Sequence, residues 1–574
     1  MYVVTKNFRA KLTWIIIGIF CALLIICGRL FYLQIHRMHT FFARSQKNFQ
    51  RTEKINSPRG NIVDRNGVML VTNRPVAHVY WQGAGKRSFD ETDTQILTAL
   101  EAIIHKPLLT DPEFFEELKY AERSHKKICL STDLSFEQLS KLEEQFSTVQ
   151  QLVIDTQFER FYPYKSLASH MLGYLSHINL DYTGQMGLEK LLDPTLKGQP
   201  GTLLKTITSS GRNIAQVEIQ KALAGQNIQT TLDVTLQKVA EAVFPEGNSG
   251  SLILMDPEDG SLVALVSKPD FDPSMFLGPI TQETWQELQE NHCFLNRAFH
   301  AAYPPGSIFK LVTVSAAIEQ NIISPDAHIM CGGYSNYCGR QYYCSNRIGH
   351  GNLSLSEAVA HSCNILFFEI GKRIDVDLLA SYANAFGLGH KTNSIFSEKT
   401  GLVPTRQWKR KTLDERWWQG ETLSVAIGQS FLLVTPIQAA RMIGSIFTGY
   451  LVTPRILMNE EIVKEPISVR PETLAFLRKT MRLAVTDGTG QKVNSVKNII
   501  IHGKTSTAQV CQYEKHTMGH AYMEHAWFVA HIKYKHHKPL ILVIVLENVG
   551  TSREATAVAK KFLVEYKKAV DGVV

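Results

Sequence analysis

Tyr303-Pro304-Pro305-Gly306-Ser307-Ile308-Phe309-Lys310, followed by Leu311-Val312-Thr313-Val314-Ser315-Ala316-Ala317-Ile318-Glu319, is the stretch whose reading decides the rest of the chain. Two prolines and a glycine do not fit inside a helix but lead into one, and the run after them carries apolar residues at helical spacing. The spacing therefore predicts a helix opened by Ser307. A serine hydroxyl in water is a poor nucleophile and attacks a carbonyl only when a neighbouring base takes its proton. Three residues on is about one helical turn, which brings Lys310 onto the face of Ser307. Lysine can be that base only where burial or another cation holds it neutral, so a second positive group and a dry pocket are required. Taken alone, Ser-X-X-Lys recurs by chance in long chains, and its plainer reading is an exposed helix start with a capping serine.

Two further segments reverse that balance. Ser362-Cys363-Asn364 begins a second apolar stretch, Ile365-Leu366-Phe367-Phe368-Glu369-Ile370-Gly371. His502-Gly503-Lys504-Thr505-Ser506-Thr507-Ala508 continues the β-branched run Ile499-Ile500-Ile501 and reads as a strand. Ser-X-X-Lys, Ser-X-Asn and Lys-Thr-Ser/Gly, in that order, form the three-motif set of serine acyl-transferases that react with penicillin. Here the chain resembles the penicillin-binding proteins, and the resemblance supplies the missing cation as Lys504.

The 574 residues suffice for two or more domains with their own cores, and 44% hydrophobic with 20% charged residues is ordinary globular composition. The formal charge of +8 suits a protein beside an anionic membrane or wall polymer. The basic residues are scattered, with no nucleic-acid-reading motif. Leu12 to Gly28 is an uncharged, mostly apolar run extended by Leu30-Phe31-Tyr32-Leu33-Gln34-Ile35, about the length needed to cross a bilayer once. Lys6, Arg9 and Lys11 precede it without an acid, placing residues 1–11 in the cytoplasm, residues 12–35 in the inner (cytoplasmic) membrane and the rest outside, in the periplasm. A cleaved signal peptide is the alternative, but no small-X-small site follows the run.

Beyond the anchor, Ser57-Pro58-Arg59-Gly60-Asn61-Ile62-Val63-Asp64-Arg65-Asn66-Gly67 reads as two short strands joined at Asn66-Gly67. Coming after a membrane anchor, it resembles the start of the non-catalytic pedestal of class B penicillin-binding proteins. Arg160-Phe161-Tyr162-Pro163, Gly187-Leu188-Glu189 and Gly198-Gln199-Pro200-Gly201 resemble the same pedestal. We expect it, a dimerisation-type domain, over residues 36–230. A helical head lies around 85–150, where Phe114, Phe115, Leu118 and Phe136, Leu139, Leu142 recur at three- and four-residue spacing. His170 reads as a structural histidine. From residue 231 to 574 we expect the transpeptidase domain. A hairpin (Ser251 to Met255, Ser261 to Val266) leads it, helical patterns fill 280–485, and strands return at Ile499 to Val510, Ala526 to Ile532 and Leu540 to Leu546 before a helix from Ala555 to about Ala569. Strands from both ends with helices between imply one antiparallel sheet covered by helices, an α+β fold. The penicillin-recognising (β-lactamase/transpeptidase-like) fold has that layout.

The resemblance assigns roles at the matching positions. Ser307 would attack the carbonyl of the penultimate D-alanine of a wall stem peptide, and Lys310 would take its proton. Ser362 and Lys504 would relay that proton to the leaving amine, and Lys504 would depress the pKa of Lys310. The N–H groups of Ser307 and Thr507 would form the oxyanion hole, Asn364 would bind the substrate backbone, and Thr505 its terminal carboxylate. Ser506 stands where the family usually has glycine. Strand alternation puts it on the side of Lys504, where it would crowd an incoming acyl chain or donate a hydrogen bond.

Nine cysteines are present, and Cys331, Cys338, Cys344 and Cys363 cluster with His350 between the first two motifs. Three thiolates and one imidazole suit Zn²⁺, while a compartment outside the cytoplasm also permits disulfides. Some elongation-group members resemble this chain with a zinc held at each of these places. That implies a structural Zn²⁺ on Cys331, Cys344, His350 and Cys363, with Cys338 spare.

Phe367-Phe368-Glu369-Ile370-Gly371, Gly401-Leu402-Val403-Pro404-Thr405-Arg406-Gln407-Trp408-Lys409 and Trp417-Trp418-Gln419-Gly420-Glu421-Thr422 with Ile427-Gly428-Gln429-Ser430 resemble the elongation group more than its division counterpart. The resemblance implies a β-lactam-inhibited D,D-transpeptidase of cell elongation and shape, partnered by a SEDS-type glycosyltransferase and the elongation machinery in the membrane. Two rival classes remain: a membrane-anchored β-lactam sensor, which usually carries more spans and a cytoplasmic effector, and a catalytically weak scaffold, to which Ser506 is the one pointer.

Overall fold

Leu540–Leu546 is apolar at each of its 7 positions, and every one is buried. Alternate side chains leave opposite faces of a sheet, so such a strand needs both faces covered. It is the middle strand of a five-stranded antiparallel sheet. The computed structural model of the protein describes residues 2–132, 134–178, 181–208, 213–509, 519 and 522–572. We number the strands of this sheet β1 (Gly250–Met255), β2 (Leu262–Lys268), β3 (Ile499–Ala508), β4 (His525–Tyr534) and β5 (Leu540–Leu546); their spatial order is β2-β1-β5-β4-β3. Val510, the expected end of β3, lies outside the described residues.

Helices of the same unit that bear on the sheet and the site include α1 (Lys310–Glu319), α2 (Asn364–Arg373), α3 (Pro436–Thr448), α4 (Pro471–Thr486) and α5 (Ser552–Val570). Leu252, Leu254, Phe528, Ile532, Leu542 and Ile544 bury one sheet face in a cluster with Val558, Phe562 and Leu563 of α5. Ile253, Met255, Trp527, Val529, Ile541 and Val543 bury the other in a cluster with Leu311 and Val312 of α1 and Ile443 of α3. Each such side chain contributes about 1.5–3 kcal/mol on leaving water, so the sheet is the element best able to hold a site rigid. This is the expected α+β fold.

The chain divides into two compact units. The one holding the sheet comprises Gly60–Thr72, Arg160–Leu196 and Gln226–Val574, so parts of the segment expected to form the pedestal fold with it. Hydrogen bonds tie them to it, Asp64 Oδ2 accepting from the Val234 N–H at 3.1 Å and Glu241 Oε1 from the Ala168 N–H at 2.8 Å. A buried ion pair joins the parts to one another: Arg160 Nε lies 2.8 Å from Glu189 Oε1, and Arg160 Nη1 donates to the Gly60 carbonyl at 2.8 Å. A Cβ on Gly60 would collide with the Gln226 carbonyl. The predicted turn is present, with Gly67 at φ +86° and Asp64 Oδ1 accepting from the N–H groups of Asn66 and Val68, each at 2.8 Å. His170 is buried, with Nε2–H donating to the Cys293 carbonyl at 2.7 Å, and burial holds its pKa down to about 4.

The other unit comprises Met1–Arg59, Asn73–Glu159 and Lys197–Gly225. Phe8–His36 is helical and, at a mean hydropathy of 2.5, long and apolar enough to cross a bilayer. A sheet of Gln50–Ile55, Gly201–Ile207 and Asn213–Gln220 belongs to the same unit. The helices Glu91–Ile104, Pro112–Arg123 and Phe136–Phe146 share a core of Trp81, Leu97, Leu100, Leu118 and Leu142. Phe136 departs from its apolar spacing: as the first residue after the capping Ser135 it points to solvent, 85% exposed.

Candidate active site

Gly306–Ile308 forms one 3-10 turn, and α1 begins two residues later at Lys310, so Ser307 stands in the turn that introduces the helix rather than in the helix itself. Pro304 and Pro305 have no N–H, and the approach to Ser307 is held by its carbonyls instead. Trp527 Nε1 donates to the Pro304 carbonyl at 3.2 Å, and Ser506 Oγ donates to the Pro305 carbonyl at 2.8 Å. Tyr303 exchanges backbone hydrogen bonds with Val434, and the Gly306 N–H donates to the Gly428 carbonyl at 2.9 Å. Gly306 has φ +52°, a conformation glycine adopts without strain.

Lys310 is fully buried, and its Nζ donates to the Ser362 carbonyl at 2.8 Å, to Ser362 Oγ at 3.1 Å and to Asn364 Oδ1 at 2.7 Å. The Phe367 ring lies 5.1 Å from the same nitrogen. Ser362 Oγ in turn donates to Ser307 Oγ at 2.7 Å. Among the described residues, then, Lys310 reaches the Ser307 hydroxyl through Ser362 and not directly. Ser362 sits at φ +57°, uncommon for a residue with a side chain, and this aims its hydroxyl between the two partners.

Burial lowers the Lys310 pKa to about 8, with the sulfurs of Cys363 and Cys344 pulling it upward in part. Lys504 is also buried and is pushed well below the ordinary lysine range by burial first and by the neighbouring Lys310 second. The second amine expected from the sequence is buried too, but what lowers Lys310 is its own burial and not Lys504. The charge effect runs from Lys310 onto Lys504.

Thr505 Oγ1 donates to Thr489 Oγ1 at 2.6 Å, and Thr507 Oγ1 accepts from the Ser552 N–H at the start of α5 at 3.2 Å. Ser506 is buried and donates its hydrogen bond to the Pro305 carbonyl, the second of the two roles expected for it.

The four residues expected to hold a metal come together: the donor atoms of Cys331, Cys344, His350 and Cys363 all lie within 4.8 Å of one another. Cys331 ends a strand, Cys344 follows a hairpin, His350 precedes the strand Gly351–Ser354, and Cys363 is the N-cap of α2. His350 Nδ1 lies 3.5 Å from both Cys331 Sγ and Cys344 Sγ, the spacing of about 3.5 Å that a tetrahedral zinc gives a sulfur and a nitrogen ligand. The Cys344 thiol is pushed down by the hydrogen bond of Cys363, which is itself pushed up. Cys338 is exposed and free on the hairpin between Tyr334–Tyr337 and Arg340–Tyr343.

Sequence reasoning missed Tyr343, Glu547 and Arg297 as partners of these segments. Asn364 Nδ2 donates to the Tyr343 carbonyl at 3.2 Å, Tyr303 Oη donates to Glu547 Oε1 at 2.6 Å, and Arg297 Nε pairs with the same oxygen at 3.0 Å. Each contact joins residues far apart in sequence, and no local pattern announces it.

A serine reached through a second serine by a buried lysine, beside the edge strand of such a sheet, defines a serine acyl-transferase of the penicillin-recognising class. The family model of the penicillin binding protein transpeptidase domain matches residues 250–564, more than half of the chain, and that of the penicillin-binding protein dimerisation domain matches residues 54–230. The chain belongs to the penicillin-binding proteins. It is 27% identical to the peptidoglycan D,D-transpeptidase MrdA of Acinetobacter baumannii, over 98% of this chain and 88% of that one. It is also 27% identical to MrdA of Escherichia coli K12, over 95% and 92%. Among solved structures, the complex of PBP2 and MreC from Helicobacter pylori aligns with a TM-score of 0.76 at 27% identity, covering 92% of this chain and all of that one. A chain from a peptidoglycan synthase complex described as coordinating polymerization and crosslinking aligns with a TM-score of 0.76 at 28% identity, covering 98% and 99%.

Proposed function

We propose that this protein is a peptidoglycan D,D-transpeptidase of cell elongation. The observation that carries the reading is the buried hydrogen-bonded path Lys310–Ser362–Ser307. When Lys310 loses its proton the two hydroxyls reverse, Ser307 donating to Ser362 and Ser362 to Lys310 Nζ. The Ser307 proton leaves by that path as Ser307 Oγ attacks the carbonyl carbon of the penultimate D-alanine of a stem peptide. The N–H groups of Ser307 and Thr507 receive the oxyanion, a contribution of about 3 kcal/mol per donor. As the tetrahedral intermediate collapses, the C–N bond breaks and the proton returns to the leaving D-alanine amine by way of Ser362 and Lys504. Asn364 and Thr505 bind the donor peptide. The amine of a second stem peptide then attacks the ester, forming the cross-link and freeing Ser307. β-Lactams acylate the same oxygen.

The burial of Lys310 and Lys504 supports this chemistry, since a dry pocket keeps both amines poised to exchange protons. The donor set Cys331, Cys344, His350 and Cys363 fits a structural Zn²⁺, which these residues would hold and which would supply a fixed link between them. Bound there, it would tie the turn of Ser362 and Asn364 to the strand that ends at Cys331 and to the segment after the hairpin at Cys344. The apolar helix Phe8–His36 supports a single-pass anchor in the inner membrane with the catalytic unit outside the cytoplasm and residues 36–230 as a pedestal. The likeness to a PBP2 in complex with MreC and to a chain of a synthase complex supports an elongation-machinery partner, with a SEDS-type glycosyltransferase beside the anchor.

Incubation of the full-length protein with a fluorescent penicillin tests the reading. Covalent label appears on the wild type and is absent from Ser307→Ala, and a wild type that takes no label refutes the assignment.

A further inference from the structure

The motif that ends Lys504-Thr505-Ser506 has a serine where the family pattern usually has glycine, and that hydroxyl is neither exposed nor idle. Ser506 is only 2% exposed, and a hydroxyl so buried needs a partner, which it finds in the Pro305 carbonyl at 2.8 Å. Pro305 lies two residues before Ser307, and Ser506 lies one residue before Thr507. A single hydrogen bond thus joins the turn that carries the nucleophile to the strand that carries the second oxyanion donor. Because neither proline can donate, carbonyl contacts of this kind are how that turn can be registered on β3 and β4. Glycine at 306 completes the fit: a Cβ there would collide with the Ser506 hydroxyl and stand 3.0 Å from the Thr507 carbonyl.

We propose that Ser506 is a positioning residue, whose hydrogen bond to Pro305 sets the placement of Ser307 relative to the Thr507 N–H and thereby the rate of acylation. The proposal rests on the acyl-transfer reading of the site. Acylation needs the attacking oxygen and the oxyanion donors in register at once, and a misplacement of about 1 Å costs about 100-fold. Removing the Ser506 hydroxyl leaves the groove for the acyl donor intact while loosening that register. Its signature is therefore a slower chemical step with unaltered capture of the label.

Stopped-flow acylation of the full-length protein by a fluorescent penicillin, across label concentrations, separates the two steps. Ser506→Ala and Ser506→Gly lower the saturating first-order constant on the order of tenfold and leave the half-saturating concentration within about twofold, while Ser506→Thr, which keeps a hydroxyl, recovers most of the rate. Thermal unfolding supplies a second readout, since Gly306→Ala lowers the Tm by about 2 °C more in the wild type than in Ser506→Gly, where the collision is gone. Ser506→Ala and Ser506→Gly acylating at the wild-type rate, a loss confined to the half-saturating concentration, or additive Tm changes overturn the proposal alone. A wild type that takes no label overturns the acyl-transfer reading and this proposal with it.

Discussion

The Ser362 hydroxyl donates to the Ser307 hydroxyl across 2.7 Å, with Lys310 Nζ standing 3.1 Å behind it. Ser362 is therefore the one hydrogen-bonded bridge between Lys310 and Ser307 among the described residues. Ser362→Ala leaves Lys310 its contact to Asn364 but cuts the proton path, so the acylation rate with fluorescent penicillin falls about 100- to 10,000-fold, the span of a general-base contribution. A decrease of less than about threefold would show that Lys310 serves Ser307 without it.

The acylation rate rises with pH and levels off above about 8, because burial brings Lys310 down to about that value and only its neutral form accepts the proton. The same shift appears in stability. Between about 8 and the ordinary lysine pKa of 10.5 the unfolded chain binds more protons than the folded one, so stability increases as pH climbs through that window. Lys504 acts in the same direction. Rate–pH profiles and denaturant midpoints measured from pH 7 to 10.5 check both, and a flat rate profile across pH 8 contradicts the base assignment.

Zinc at about one equivalent per chain is expected by elemental analysis of protein purified without chelator. Cys331→Ser and His350→Ala lower that content and the Tm together, whereas Cys338→Ser changes neither, since Cys338 is exposed and free on its hairpin. Metal-free protein with an unaltered Tm after chelation would leave the cluster as buried thiols only.

Glu189→Ala destabilises the sheet-bearing unit by about 3–5 kcal/mol, because it breaks the buried ion pair that Glu189 makes with Arg160 Nε. The denaturant midpoint reports the loss; a change under about 1 kcal/mol would mean that water or another group takes the place of Glu189.

Much of this protein is legible in one dimension. The unbroken apolar run Leu540–Leu546 announces a strand covered on both faces, the Tyr303–Gly306 punctuation announces a helix start, and three short motifs name the chemistry, because each depends on neighbours within a turn or two of chain. The four metal-type donors could be named from spacing and resemblance, and their convergence within 4.8 Å comes from strand pairing that spacing alone does not contain. The route from Lys310 to Ser307 through Ser362, the depression of Lys504 by burial beside Lys310, the pairing of Arg160 with Glu189 and the hydrogen bond of Ser506 to Pro305 were decided by the tertiary structure. The physical reason is common to all four. Hydrogen bonds and burial act over a few ångströms of space, and residues 201 positions apart, as Pro305 and Ser506 are, become neighbours only when the sheet and its helices have closed around them.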